Sequence, residues 1–368
     1  MIYLDTAANA KVENEVLDSY VEVTKKYFAN PNSSHKLGLE VKERIDEASK
    51  NIAKYLGVEN DELIYTSGAS ESNNLVVQGV LKKSNGKHII IGPFEHSSIV
   101  APANKLTSLG FEVDIVDFNK DGIVEIGELE KLIRDDTVLI SISLVDSELG
   151  IRQNIEEIAK YLKEKHPNIL FHTDASQAVG KTDFDFTNVD LVTIAPHKFG
   201  GLNGIGILIK RKDIMLEPII YGGKSTTIFR SGTPNASMII SLEKAFEVAL
   251  NNYKNKKDHI KELHDYAIEK LKTLDNAVIN SNKYSVNNTI NFSILGKDSK
   301  EVQDKLGERN IFVSTSSACS SDSAYSRVVF NLTKDETRAR SSLRISFSYE
   351  NTIEELDIFF NTLKEIIG

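Results

Sequence analysis

Short apolar runs alternate along this chain with longer stretches in which apolar residues recur every third or fourth position. The runs predict buried strands and the stretches predict amphipathic helices. Their alternation predicts a mostly parallel sheet covered on both faces. Val41, Ile45, Ala48, Ile52 and Tyr55 fall on one stripe of a helix over 38–56, which Gly57 ends. Strands are predicted at Leu63–Thr66, His88–Ile91, Val113–Val116, Val138–Ser143, Ile169–Thr173, Leu191–Ile194 and Ile205–Ile209. A long helix then runs from about Ala236 to Leu274, with a polar stretch at Asn251–Asp258 that predicts a junction between two units. The remainder reads strand, helix, strand, loop, helix, strand, helix. The chain thus divides into a large domain, 12–253, and a smaller α/β domain of 1–11 with 254–368.

Composition narrows the functional classes. A chain of 368 residues with 40% hydrophobic content can bury a large core. Its net charge of −9 argues against nonspecific nucleic-acid binding, which favours a basic face. No run approaches the ~18 apolar residues of a membrane span. The N-terminal Met-Ile-Tyr-Leu-Asp-Thr shows no basic region followed by an apolar stretch, so the expected compartment is the cytoplasm, where a thiol stays reduced.

Cys319 is the only cysteine, set in Val313-Ser-Thr-Ser-Ser-Ala-Cys-Ser-Ser-Asp-Ser323. A structural cysteine sits among large apolar residues, whereas this one lies among small polar ones. One cysteine makes no internal disulfide, which leaves an incidental loop cysteine or a nucleophilic thiolate. Upstream, an apolar strand runs into Pro196-His197-Lys198 and a glycine-rich turn leads to the next strand. That lysine is either a strand-end amine reaching water or a desolvated amine suited to attack a carbonyl. Phe171-His-Thr-Asp174 is an apolar strand ending in a carboxylate. A Schiff-base lysine and a carboxylate for a pyridine nitrogen are the pair that pyridoxal phosphate requires. Ser67-Gly68-Ala69-Ser70-Glu71 ends a strand and opens a helix, with Ser70 as the expected N-cap and the helix start as an anion site or an ordinary cap.

With these passages go Ile2-Tyr-Leu-Asp-Thr-Ala-Ala8, Asn30-Pro-Asn-Ser-Ser-His35-Lys-Leu-Gly38, Tyr65 to Leu75, Glu95-His96-Ser-Ser98, His172 to Gln177, Arg230-Ser-Gly-Thr233, Ser317-Ala-Cys319-Ser320 and Ser341-Ser-Leu-Arg344-Ile-Ser346. In that order the chain resembles, almost end to end, the NifS/IscS-type cysteine desulfurases of the class V aminotransferase group. The resemblance implies an α/β, fold-type I pyridoxal-phosphate enzyme, whose large domain holds a mostly parallel seven-stranded sheet beside a smaller α/β domain. It implies L-cysteine as substrate, L-alanine as product and a persulfide on Cys319. A homodimer is implied, together with a sulfur-acceptor protein, either an iron–sulfur scaffold or a tRNA-thiolation enzyme, because Ser320–Tyr325 resembles the family's long-loop branch.

The resemblance also assigns roles. Lys198 carries the cofactor and moves the α-proton, and His96 stacks over the ring and exchanges protons. Asp174 takes the ring nitrogen and Gln177 the ring oxygen. Ala69, Ser70, His197 and Thr233 hold the phosphate, Thr233 from the partner subunit. Arg344 grips the substrate carboxylate, and Asn30 and His35 border the site. Two positions depart from the family pattern. Asp146-Ser-Glu148-Leu-Gly150 replaces Asn-Asn/Ala-Glu-x-Gly, and Ala195 replaces a Ser or Thr. An ionised Asp146 accepts hydrogen bonds and donates none, so it is expected to repel the ring oxygen and the substrate carboxylate. A selenocysteine lyase, a cysteine-sulfinate lyase and a non-catalytic cofactor-fold protein are the competing readings.

Overall fold

The computed structural model describes residues 1–59, 62–81, 86–223, 225, 227–315 and 325–368. In chain order the elements are β1 (Ile2–Tyr3), α1 (Asn14–Lys26), α2 (Lys36–Leu56), β2 (Leu63–Thr66), α3 (Ala69–Leu81), β3 (His88–Ile91), α4 (Ser97–Thr107) and β4 (Glu112–Ile115). They continue with α5 (Ile126–Glu130), β5 (Thr137–Ser141), α6 (Ile155–Lys165), β6 (Leu170–Asp174), β7 (Leu191–Ile194), β8 (Gly206–Lys210) and α7 (Ala236–Lys272). The last are β9 (Ala277–Ile279), β10 (Thr289–Ile294), α8 (Ser299–Glu308), β11 (Ile311–Phe312), α9 (Arg327–Thr333), α10 (Glu336–Arg340), β12 (Ser342–Ser346) and α11 (Ile353–Ile367).

Seven strands form one sheet in the order β2-β8-β7-β6-β5-β3-β4. Only β8 runs against its neighbours, β2 and β7. The central strands β3, β7 and β8 are buried throughout, as expected of a sheet covered on both faces. One face packs against α1, α2, α6 and the first half of α7. The other packs against α3 and α4. The carboxyl ends of β2, β3, β5, β6 and β7 all reach the same edge, the usual crevice for ligands in open α/β sheets.

A separate apolar cluster joins Ile2 and Leu4 to Ile260–Leu271 of α7, β10, β12 and α11. α7 bridges the two clusters. Its buried residues stop at Ala249 and resume at Ile260, so the polar stretch 251–258 is the part that packs least. Gly57 ends α2 in the left-handed conformation at φ 67°, as its position predicts.

The expected strands all appear, three with the expected boundaries and four shifted by one or two residues. Beyond 274, however, the order differs from expectation. A half-buried strand, β9, precedes β10, and two short helices, α9 and α10, stand where one was predicted. Three half-buried residues carry too little apolar pattern to announce a strand.

Gly206 opens β8 directly against the turn after β2. A Cβ there would lie 2.7 Å from the Gly68 Cα and 2.8 Å from the Thr66 Oγ1. Overpacking of this kind costs about 1–3 kcal/mol. Gly206→Ala should therefore lower the urea midpoint of unfolding. An unchanged midpoint would mean that the Gly68 turn gives way freely.

Candidate active site

The reversals at the sheet edge enclose a cavity of about 300 Å³. Its wall includes Ala7, Ala8, Ala69, Ser70, His96, Asp146, Asp174, Gln177, Ala195, His197, Lys198 and Arg344. The segments after β2, β3, β5, β6 and β7 thus meet the N-terminal segment and β12 at one place.

Lys198 ends a single 3-10 turn, Pro196–Lys198, that follows β7. Proline suits the first position because its missing N–H would find no partner there. The Lys198 Nζ donates to the Ala8 carbonyl at 2.6 Å and the Ala7 carbonyl at 3.1 Å. Beside it, burial and the ammonium groups of Lys198 and Lys181 push the His197 ring down to about 4, so His197 is neutral at physiological pH.

Asp174, the last residue of β6, accepts from the Asn73 Nδ2 at 2.8 Å and the Ser176 N–H at 2.9 Å. The Asn73 amide also donates to the Ser98 Oγ at 2.8 Å, and that hydroxyl meets the His96 Nδ1 at 2.8 Å. His96 caps α4, its Nδ1 accepting from the Ser98 N–H at 3.2 Å. With Nδ1 accepting, the proton of the neutral ring sits on Nε2. Burial lowers the His96 pKa, which favours this neutral form.

Helix α3 begins at Ala69, not after Ser70. The Gly68 carbonyl takes the first helical bond, from the Ser72 N–H at 3.1 Å, so Ser70 lies inside the first turn rather than capping it. Gly68, at φ 154°, makes the sharp entry. Glu71 in the same turn is drawn aside by the Ser67 N–H at 2.7 Å and the Arg230 Nε at 2.9 Å. The first-turn amides, which have no helical acceptor, are left for an anion.

Asp146 lines the cavity, but its carboxylate closes its own loop. Oδ1 accepts from the Glu148 and Leu149 N–H groups and Oδ2 from the Ile151 N–H, each at 2.8 Å. Burial pushes the carboxyl up to about 6 against the pull of these three bonds. The Arg344 side chain is 1% exposed, with Nη1 donating to the Ser147 carbonyl at 2.7 Å and Nη2 to the Asp5 carboxylate at 2.6 Å. Its buried Nε has no hydrogen-bond partner among the described residues. The Gln177 Nε2 donates to the Ala7 carbonyl at 2.9 Å.

Three expected site residues stand outside this wall. Asn30 is exposed, and its side-chain oxygen turns back to the Asn32 N–H at 2.9 Å. Thr233 is exposed and does not reach the cavity of its own chain. His35 is likewise exposed and caps α2. Cys319 lies outside the described residues. The described residues that flank it stand close to the wall. Ser314 exchanges backbone bonds with Arg344, and the Ser326 Oγ donates to the Glu148 carboxylate at 2.6 Å.

Residues 2–359 match the Aminotransferase class-V family. The whole chain is 36% identical to the cysteine desulfurase IscS of Dictyoglomus turgidum, over 94% of that protein. The chain belongs to the class V aminotransferases, among the NifS/IscS-type cysteine desulfurases. A solved NifS-like protein, 31% identical, superposes with a TM-score of 0.93 over 100% of this chain and 99% of that one. A solved structure of SspA in complex with cysteine, 30% identical, superposes with a TM-score of 0.82 over 96% of this chain and 100% of that one.

In this class V site, the contacts made by Asp5, Asn73, Lys181 and Glu95 were not anticipated. Asn73 is the one with a sequence signal, since it lies one helical turn after Ala69 and so shares its face. Glu95 is buried beside Asp174 and accepts from the Ser143 N–H at 2.6 Å and the Ser143 Oγ at 2.7 Å. Burial pushes its carboxyl up to about 8.

The raised pKa has a sign that can be tested. Between the unfolded value and about 8 the folded protein holds a proton that the unfolded chain has lost. Stability is then lost as pH rises through this window, by about 1.4 kcal/mol per pH unit for one proton. Glu95→Gln removes this titration. Urea unfolding between pH 5.5 and 7.5 should show the parent losing stability with pH relative to the variant. Parallel curves would place the Glu95 pKa near its ordinary value.

Proposed function

We propose that this chain converts L-cysteine to L-alanine and leaves the sulfur as a persulfide on Cys319, with pyridoxal 5'-phosphate as cofactor. The observation that carries the proposal is the pairing, across one cavity, of the Lys198 amine with an Asp174 carboxylate already oriented by Asn73 and Ser176. The residues present fit the cofactor. The first turn of α3 offers its amides to a phosphate, with Ala69, Ser70 and His197 in the same wall. The close approach of Gly206 to Gly68 keeps that turn tight. Lys198 would carry the aldehyde carbon, Asp174 would take the ring nitrogen and Gln177 the ring oxygen. When bound, the group supplies an electron-accepting ring that stabilises negative charge at the substrate α-carbon.

Arg344 binds the substrate carboxylate, and its Nε, without a partner among the described residues, supports this role. Lys198 takes the α-proton on Nζ, and His96 exchanges protons through Nε2. The Cys319 thiolate attacks the substrate sulfur. A sulfur–sulfur bond forms as the carbon–sulfur bond breaks, and the β-carbon gains a proton. Thiol and cysteine become persulfide and alanine without an external oxidant.

The rest of the proposal concerns assembly. Two copies form a homodimer in which the exposed Thr233 serves the partner's phosphate site. The exposed apolar residues Ile220, Tyr221 and Ile228 of the same region support that contact. Residues 12–253 act as the cofactor-binding domain, and 1–11 with 254–368 as the domain that carries Cys319. The acceptor is an iron–sulfur scaffold or a tRNA-thiolation enzyme, in the cytoplasm. Among the described residues no helix is long and apolar enough to cross a membrane.

Two variants test the chemistry. Lys198→Ala should lose the borohydride-fixed cofactor and nearly all turnover; fixation at another lysine would displace the site. Cys319→Ala should still change its visible spectrum with L-cysteine but form no protein persulfide and little alanine. Undiminished sulfide release by that variant would favour a lyase.

A further inference from the structure

We propose that Lys181 is a positioning residue that acts through Gln177, holding the amide oxygen so that the amide NH2 faces the cavity as a donor to the cofactor's ring oxygen. The inference rests on the function proposed above.

Lys181 lines a larger crevice of about 490 Å³ that runs between the N-terminal segment, α7 and residues 347–355. Lys198 borders both this crevice and the active-site cavity. From this side the Lys181 Nζ donates to the Gln177 Oε1. The chain after β6 coils through successive turns, with Lys181 N–H and Thr182 N–H both bonded to the Ala178 carbonyl, which brings position 181 back beside 177.

Gln177 is thus gripped from two directions. Its oxygen faces an amine, and its nitrogen donates to the Ala7 carbonyl at 2.9 Å, leaving one further N–H for a ligand. Turning the amide over would set oxygen against oxygen at Ala7 and NH2 against the Lys181 ammonium. The first contact is repulsive at any pH and the second whenever Lys181 is protonated, so the observed orientation is favoured.

An amine is an expensive choice for this place. Burial, Lys198 and Arg344 together push Lys181 down to about 7. A methionine would fill the space without that penalty but would leave the amide oxygen buried and unpaired. The lysine therefore satisfies a need of Gln177, not of packing.

The test uses the full chain reconstituted with pyridoxal 5'-phosphate and follows the pH midpoint of its visible absorption band. A donor to the ring oxygen favours the deprotonated form. Lys181→Met should therefore raise the midpoint by about one pH unit, tenfold in proton affinity. Gln177→Leu should raise it similarly, and adding Lys181→Met to that variant should move it no further. An unmoved midpoint in a folded Lys181→Met overturns the proposal. So does an additive shift in the double variant, which would show that Lys181 acts by its charge alone. Should Lys181→Met fail to fold, Lys181→Gln, which keeps a donor, should retain the parent midpoint, and a shifted one overturns the proposal. If the parent chain itself forms no visible band, the proposed function fails instead.

Discussion

The N-terminal segment is the constraint on which the rest of this site depends. β1 pairs with β11 in the smaller apolar cluster, and Ala7 and Ser346 join through backbone and side chain. A few residues on, the Ala10 N–H bonds the His197 carbonyl at 2.8 Å and the Glu13 N–H bonds the Gly200 carbonyl at 3.0 Å, at the edge of the large sheet. Between these anchors, Asp5 holds Arg344, and the Ala7 and Ala8 carbonyls hold Gln177 and Lys198. A few residues of chain therefore set the register between Arg344 and Lys198. Displacing this segment would separate them without touching either side chain.

Electrostatics then decides which groups carry charge. Three basic side chains come together here, Lys198 and Arg344 in the cavity wall and Lys181 in the neighbouring crevice. Burial, with repulsion from Lys198 and Arg344, pushes Lys181 down to about 7, near half-protonation at neutral pH. Glu95 stays protonated to about 8, so it adds no second charge beside Asp174 near neutrality. His197 and His172 are both pushed to about 4 and remain neutral.

Much of this was legible in the sequence, for identifiable reasons. A strand buried on both faces must be continuously apolar, so β3, β7 and β8 announce themselves. The α2 stripe and Gly57 do likewise. Residues whose chemistry follows from a strand end, Asp174 and Lys198, were found because a buried charge needs a purpose. Ser70 was misplaced as a cap because the helix start depends on the backbone of Gly68, which residue type alone does not set. Asn73 and Asp5 meet Asp174 and Arg344 from 101 and 339 positions away, contacts that no local pattern encodes. Asn30 and Thr233 came from resemblance, and within one chain they lie outside the wall.

Asp146 shows how the same residue changes meaning once its partners are known. By resemblance, it is a negative charge expected beside the cofactor's ring oxygen and the substrate carboxylate. In the fold, its two oxygens face three backbone N–H groups and curl residues 147–151 around themselves. Gly150, at φ 73° with the Thr289 Cβ in the way of any Cβ of its own, completes the curl. An asparagine has one acceptor oxygen, so it can match the Glu148 and Leu149 N–H groups but would turn its NH2 toward that of Ile151. Above its pKa of about 6 the aspartate is ionised, and those three donors neutralise much of its field before it reaches the cavity. The departure thus follows from hydrogen-bond count in the loop that presents the Ser147 carbonyl to Arg344 and the Glu148 carboxylate to Ser326.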